Sequence, residues 1–176
     1  MIEVAAYDPL WVAHFEQLKR WYEPMLLGVD VLAIEHVGST SVPGLPAKPI
    51  IDLDIVVPRE EMPRAIETFE NHGHVYRGDL GITDRYAFSI SEPPFATNTY
   101  VIVEGSAALR NHLLLRKVLS ESPELRREYA VVKRQLAASA ADIGDYSSAK
   151  SEVIQRILKC GGMDEYSLRL IRDQNR

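Results

Sequence analysis

An α/β (α+β) domain, built as a mixed β-sheet flanked by helices with further helices toward the carboxyl terminus, is what this sequence predicts. Three observations predict it: a helical apolar period near the amino terminus, strand-like alternation in IIDLDIVV with three β-rich runs after it, and a helical period again from Ser106 onward. At 176 residues the chain can bury one full-sized core but not two ordinary ones. Residues 1–176 are therefore read as a single domain, with a sheet-containing core at 1–104, packed helices at 105–162 and a charged tail at 163–176.

Asp8 followed by Pro9 reads as an N-cap and first helical residue, and Trp11, Phe15, Leu18 and Tyr22 then mark an amphipathic stripe that should stop near Pro24. LAIEHV, from Leu32 to Val37, reads as a strand. GSTSVPGLPAKP after it is too rich in Gly, Pro and Ser to be anything but a shaped loop. In the next strand, Ile50 to Val57, side chains alternate, so Ile51, Leu53, Ile55 and Val57 share one face while Asp52, Asp54 and Val56 share the other.

Pro58 closes that strand, and Met62, Ile66 and Phe69 mark a helix that Gly73 would cap. HVYR at His74–Arg77, YAFSI at Tyr86–Ile90 and NTYVIV at Asn98–Val103 are short strands whose turns suggest mixed or antiparallel pairing. Ser106 is an N-cap, Ser122 with Pro123 opens a second helix along Leu125, Tyr129, Val132 and Leu136, and DIGDYSS breaks it. A final helix from about Ser147 to Cys160 buries Val153, Ile154, Ile157 and Leu158 and stops at Gly161 and Gly162.

Composition narrows the functions. A hydrophobic fraction of 46% with 26% charged residues is ordinary for a globular protein, and no run approaches the roughly 18–20 apolar residues of a membrane span. A net charge of −5 disfavours long nucleic acid as a partner, because such binding depends on neutralising phosphates with Lys and Arg. Cys160 is the only cysteine, so no internal disulfide forms. MIEVAAYDPLWVAHF carries no secretory pattern, and the expected location is the cytoplasm, without a membrane partner.

The chemistry concentrates in HVGSTSVPGLPAKPIIDLDIVV. Gly38 would let the backbone approach a phosphate, and the amides and hydroxyls of Ser39, Thr40 and Ser41 could donate to its oxygens. Asp52 and Asp54, two apart on a strand, point into the same space roughly 6–7 Å apart and repel unless a cation or proton intervenes. Magnesium (or manganese) suits such a pair, because it prefers oxygen ligands and is commonly held by one or two carboxylates plus substrate phosphates. Asp52 and Asp54 are the candidate metal ligands and catalytic residues, and Lys48 lies close enough in sequence to assist. Read blandly, a D-x-D marks the wet face of a sheet and a Gly-Ser loop only a connection.

Twelve residues, Thr40 to Ile51, separate Gly38-Ser39 from Asp52-Leu53-Asp54-Ile55, a pattern that resembles the signature of the nucleotidyltransferase superfamily. The wording H-V-G-S-T-S-V-P-G-L followed by A-K-P-I-I-D is closer still to the GrpB family. YDPLW, LRREYAVVKRQLA and DYSSAKSEVIQRIL also look like landmarks of that family, with Tyr129, Lys133, Tyr146 and Lys150 on matching positions. The resemblance implies a nucleotidyltransferase-like core, with Lys133 and Lys150 reaching the phosphates; Arg85, beside the Tyr86 strand, is a weaker candidate read from its position alone. Two departures stand out: Asn98, Thr99, Tyr100 and Val101 replace a His-x-His-like strand, and Leu115, Arg116 and Lys117 replace Phe-Arg-Asp. Nucleotidyltransferases generally draw a third carboxylate from a neighbouring strand, for which Glu104, ahead of Asp84 and Asp79, is the candidate here.

The expected function is magnesium-dependent transfer of a nucleoside monophosphate from ATP or a similar nucleoside triphosphate to a small-molecule or protein acceptor. The alternative is a nucleotide- or metal-binding module of the same fold without turnover. An acid within shared reach of Asp52 and Asp54 would separate the two. His36, just before the loop, is read as a hydrogen-bonded core residue and Cys160 as structural.

Overall fold

The computed structural model describes residues 4–139, 143–164 and 168–169, with side chains for 4–135, 152–164 and 168–169. Asp8 caps the first helix by accepting from the Leu10 backbone N–H at 2.9 Å, and α1 (Leu10–Tyr22) ends two residues before Pro24. Its expected stripe, Trp11, Phe15, Leu18 and Tyr22, is buried.

The chain continues through β1 (Ala33–Val37), a single 3-10 turn at Ser39–Ser41, β2 (Ile51–Val57), α2 (Met62–Asn71), β3 (Val75–Tyr76), β4 (Arg85–Ser89) and β5 (Thr97–Val103). These strands form one sheet in the order β1-β2-β5-β4-β3. β5 lies parallel to β2, and every other neighbouring pair is antiparallel. The excursion through α2, β3 and β4 supplies the crossover that a parallel pair requires.

The alternation along β2 decides what each face meets. Ile51, Leu53, Ile55 and Val57 enter the main core with α1 and α2, against Leu18, Tyr22, Ala65 and Phe69. Each large side chain buried there contributes about 1.5–3 kcal/mol. Val56, on the opposite face, packs with Ile102 and with Ala108 and Leu109 of α3 (Ala107–Glu121). Helices thus cover both faces, which buries Asp54 completely and leaves Asp52 half-buried near the start of the strand.

Ser106 caps α3 through a bond from the Leu109 N–H at 3.2 Å. α4 (Pro123–Ser139) and α5 (Ile143–Cys160) pack beside it, with Leu45, Leu119, Tyr129 and Ile157 in one cluster. The last helix begins at Ile143, four residues before the Ser147 expected. Gly161 ends it against Val118 and Leu114 of α3, where a Cβ would stand 2.6 Å from Val118 Cγ2. Leu168, in the charged tail, is buried against Leu158. Among the described residues no helix is long and apolar enough to cross a membrane.

Candidate functional site

Strand register builds the site. Val37 pairs with Asp52 and Glu35 with Asp54 across β1 and β2, while Asn98 and Tyr100 of β5 pair with the same two aspartates on the other side. Paired residues share a face, so Glu35, Asp54 and Tyr100 form one row facing α3, and Asp52 and Asn98 lie in the next. Asn98 Nδ2 donates to Asp52 Oδ1 at 2.8 Å. Asp54 is fully buried and accepts from His112 Nδ1 of α3 at 2.7 Å.

Gly38 links strand to turn with φ +70°. The space a side chain would fill there is taken by Asp52: a Cβ would stand 2.7 Å from Asp52 Cγ, and closer to Oδ2. Glycine is thus required for the aspartate to lie over the backbone, a close approach the sequence had suggested for a phosphate. Thr40 is buried, its hydroxyl 3.0 Å from His36 Nε2 and 3.4 Å from the Ile50 carbonyl, and Ser41 Oγ donates to the Gly38 carbonyl at 2.7 Å. Of the three hydroxyls expected to meet phosphate, those two hold the loop in shape, and Ser39 is the one not spent within it.

Two cavities meet at this turn. One, of about 210 Å³, lies between the sheet and the helices and is lined by Gly38, Ser39 and Asp52, by Arg85 and Tyr100 of β4 and β5, by Asn111, His112 and Arg116 of α3, and by Tyr129 and Ile154 of the later helices. The other, of about 320 Å³, lies at the starts of β2 and β5 and is lined by Ser39, Thr40, Lys48, Asp52, Asn98 and Lys133. Lys48 is exposed at its edge, whereas Lys133 is buried and donates to the Pro46 carbonyl at 2.9 Å. The fold therefore gathers Gly38, Ser39, Thr40, Lys48, Asp52, Asp54 and Lys133 around one turn. The side chain of Lys150 lies outside the described residues.

Glu104 is not brought to them. Its backbone N–H bonds the Val57 carbonyl, at the opposite end of β2 from Asp52, and it is exposed. Because β2 and β5 run parallel, a residue six positions beyond Asn98 stands about 20 Å further along the strand. Asp84 is at that same far end, in a two-pronged ion pair with Arg59 at 2.7 Å, and Asp79 accepts from the Gly81 N–H in the turn before β4. Among the described residues no group of three His, Cys, Asp or Glu side chains is arranged to hold a metal.

Sequence reading passed over His112 and passed Arg116 by as a departure. Arg116 Nη1 donates to Glu35 Oε2 at 2.9 Å and to the His36 carbonyl at 2.6 Å, tying α3 to the end of β1. The available signal was their spacing: His112 and Arg116 are four apart, on the helical face that also carries Ala108 and Leu119. Desolvation, assisted by the charge of Arg116, lowers His36 from its ordinary 6.5 to about 4, so it is a neutral core residue stacked on Phe15. Burial raises the Tyr100 hydroxyl's pKa against the lowering effect of Arg85, whose guanidinium lies 4.4 Å from that ring's centroid.

A family model described as GrpB protein matches residues 1–160. The UPF0157 protein YqkA of Bacillus subtilis (strain 168) is 34% identical over 156 residues; the match takes in 88% of this chain but 45% of that protein, so this chain spans about half of that relative's length. The crystal structure of the conserved protein GrpB from Enterococcus faecalis superposes with a TM-score of 0.75 at 30% identity, covering 92% of this chain and 100% of the other. Terminal uridylyl transferase 4 from Trypanosoma brucei, solved with bound CTP, aligns with a TM-score of 0.50 at 18% identity over 87% of this chain and 52% of that one, a likeness of fold.

Proposed function

The chain belongs to the GrpB family, and from that membership and the geometry of the turn we propose that it is a nucleotidyltransferase, which binds a nucleoside triphosphate with magnesium (or manganese) and moves the nucleoside monophosphate to a small-molecule or protein acceptor. The observation that carries this reading is that Ser39 and Asp52 line both cavities. A phosphorus atom held beside them has room for phosphates on one side and for an acceptor on the other.

The donor set fits the metal. Asp54 Oδ1 is buried with no hydrogen-bond partner among the described residues, and it shares a face with Asp52, so a carboxylate oxygen is held away from water where a hard cation would satisfy it. When bound, the ion neutralises charge on the triphosphate and on the two carboxylates. The protein's own groups do the rest. Ser39 offers a hydroxyl to a phosphate oxygen, and Lys48 and Lys133 place positive charge along the cavity at the strand starts, Lys133 held in position by Pro46. His112 orients Asp54 through its 2.7 Å bond, and the helices above the sheet keep bulk water from that carboxylate.

One observation favours a second reading, binding without turnover: the residues of β5 opposite Asp52 and Asp54 are Asn98 and Tyr100, neither of them an acid. Calorimetric titration of ATP and GTP with and without Mg²⁺, into the wild type and an Asp52→Asn/Asp54→Asn variant, with pyrophosphate followed in the same samples, separates the two. Metal-dependent binding lost in the variant, with pyrophosphate released when an acceptor is supplied, supports transfer. Binding with no pyrophosphate supports the second reading, and no binding to either protein sinks both.

A further inference from the structure

Among the described residues three buried side-chain polar atoms have no hydrogen-bond partner: Asp54 Oδ1, Arg85 Nε and Asn111 Oδ1. They are not scattered. Arg85 and Asn111 line the cavity between the sheet and α3, and Asp54 lies beneath it, paired in register with Tyr100 and bonded to His112, which both line it. Buried polar groups are almost always satisfied; the metal proposed above would satisfy Asp54 Oδ1, and the two orphans that line the cavity, on Arg85 and Asn111, mark it as shaped for a polar occupant.

Arg85 says what kind. Its guanidinium lies over the Tyr100 ring, and none of the ion pairs among the described residues gives it a carboxylate. Arg116 in the same cavity is by contrast already engaged by Glu35. Arg85 is half-buried, and its Nε is shut away from water without a partner; an N–H of a guanidinium is met best by an anion, which satisfies the donor and the charge together. Asn111 Oδ1 can only accept, which asks the same occupant for an O–H or N–H. Asp52 lines the cavity too, but β4 is two strands from β2, about 10 Å away, so an anion at Arg85 stands clear of it. At about 210 Å³ the space falls below the roughly 300–1,000 Å³ of pockets for drug-sized ligands, and so suits a compact molecule.

We propose that this cavity binds a small organic anion bearing a hydroxyl group, with its carboxylate or phosphate on Arg85 and its hydroxyl on Asn111. The role this gives the molecule, as acceptor of the nucleoside monophosphate, rests on the transfer reading; the site itself does not. In that role the hydroxyl oxygen forms the new bond to the α-phosphorus as the bond to pyrophosphate breaks, and the hydroxyl proton leaves to solvent.

The test uses the full chain with neither nucleotide nor metal, so its outcome is separate from that of the nucleotide titration. Glycerol 3-phosphate, glycerate and uncharged glycerol are titrated by calorimetry into the wild type, Arg85→Gln and, as a control, Arg59→Gln. At least one anion should bind the wild type tenfold or more tightly than glycerol, and its identity tells phosphate from carboxylate. Arg85→Gln should weaken that anion's binding at least tenfold, and Arg59→Gln should leave it unchanged. If neither anion outbinds glycerol, or if folded Arg85→Gln binds the anions as well as the wild type does, the proposal is overturned. Should Arg85→Gln fail to fold, the wild-type preference for anion over glycerol decides alone.

Discussion

Gly38→Ala should destabilise the protein by about 2.5–6 kcal/mol. Two costs add. An L-residue held at φ +70°, outside the regions such residues favour, costs about 1–3 kcal/mol. The new methyl would also stand 2.7 Å from Asp52 Cγ and 2.8 Å from its Cβ, so the carboxylate must swing away and lose the bond from Asn98, about 1.5–3 kcal/mol for a charged acceptor. Against a total stability of about 5–15 kcal/mol this is a large fraction, equivalent to a Tm lower by roughly 10 °C for a chain of this size. Urea unfolding of the single variant, of Asp52→Gly and of the double variant gives the assay. Asp52→Gly removes the three nearest atoms the methyl would meet, so the double variant should recover about 1.5–3 kcal/mol relative to additivity. A cost below about 1 kcal/mol would refute the steric reasoning, and an equal cost in both backgrounds would show that the aspartate is not what makes glycine necessary there.

Two further outcomes follow from the same neighbourhood. His36 is held near 4 in the fold and titrates at its ordinary 6.5 when unfolded, so as pH falls through that window the unfolded chain takes up a proton the folded one refuses; stability should fall by up to about 3 kcal/mol, and His36→Gln should flatten this limb in pH-dependent urea melts. An unchanged slope in that variant would count against the assignment. Arg116→Ala, which removes the donor shared by Glu35 and the His36 carbonyl, should cost about 1–3 kcal/mol in thermal melts, and a Glu35→Ala background should reduce that cost.

Much of the fold was legible because it rests on local periods. Trp11, Phe15, Leu18 and Tyr22 recur at helical spacing, and Ile51, Leu53, Ile55 and Val57 at strand spacing, and each set is buried as those periods require. Asp145, Ser147 and Ser148, residue types that favour turns, misled the reading of where the last helix starts, since all three lie within it. In the loop the residue types pointed to anion binding, but local bonding had the stronger claim on Thr40 and Ser41, whose hydroxyls close the turn.

By itself, then, the sequence determined the helical and strand segments and the placing of Asp52 and Asp54 side by side on one strand face, because these follow from neighbours a few residues apart, and its wording from His36 to Val57 carried the family. Tertiary structure alone decided which groups meet that pair. His112 and Asp54 are 58 residues apart and Arg116 and Glu35 are 81 apart, and they touch because α3 lies across the second face of the sheet at one angle and register. The parallel pairing of β2 with β5 likewise sends Glu104 to the far end and sets Asn98 and Tyr100 beside the aspartates. Strand direction and helix docking arise from packing the whole core, and no local period in the sequence encodes them.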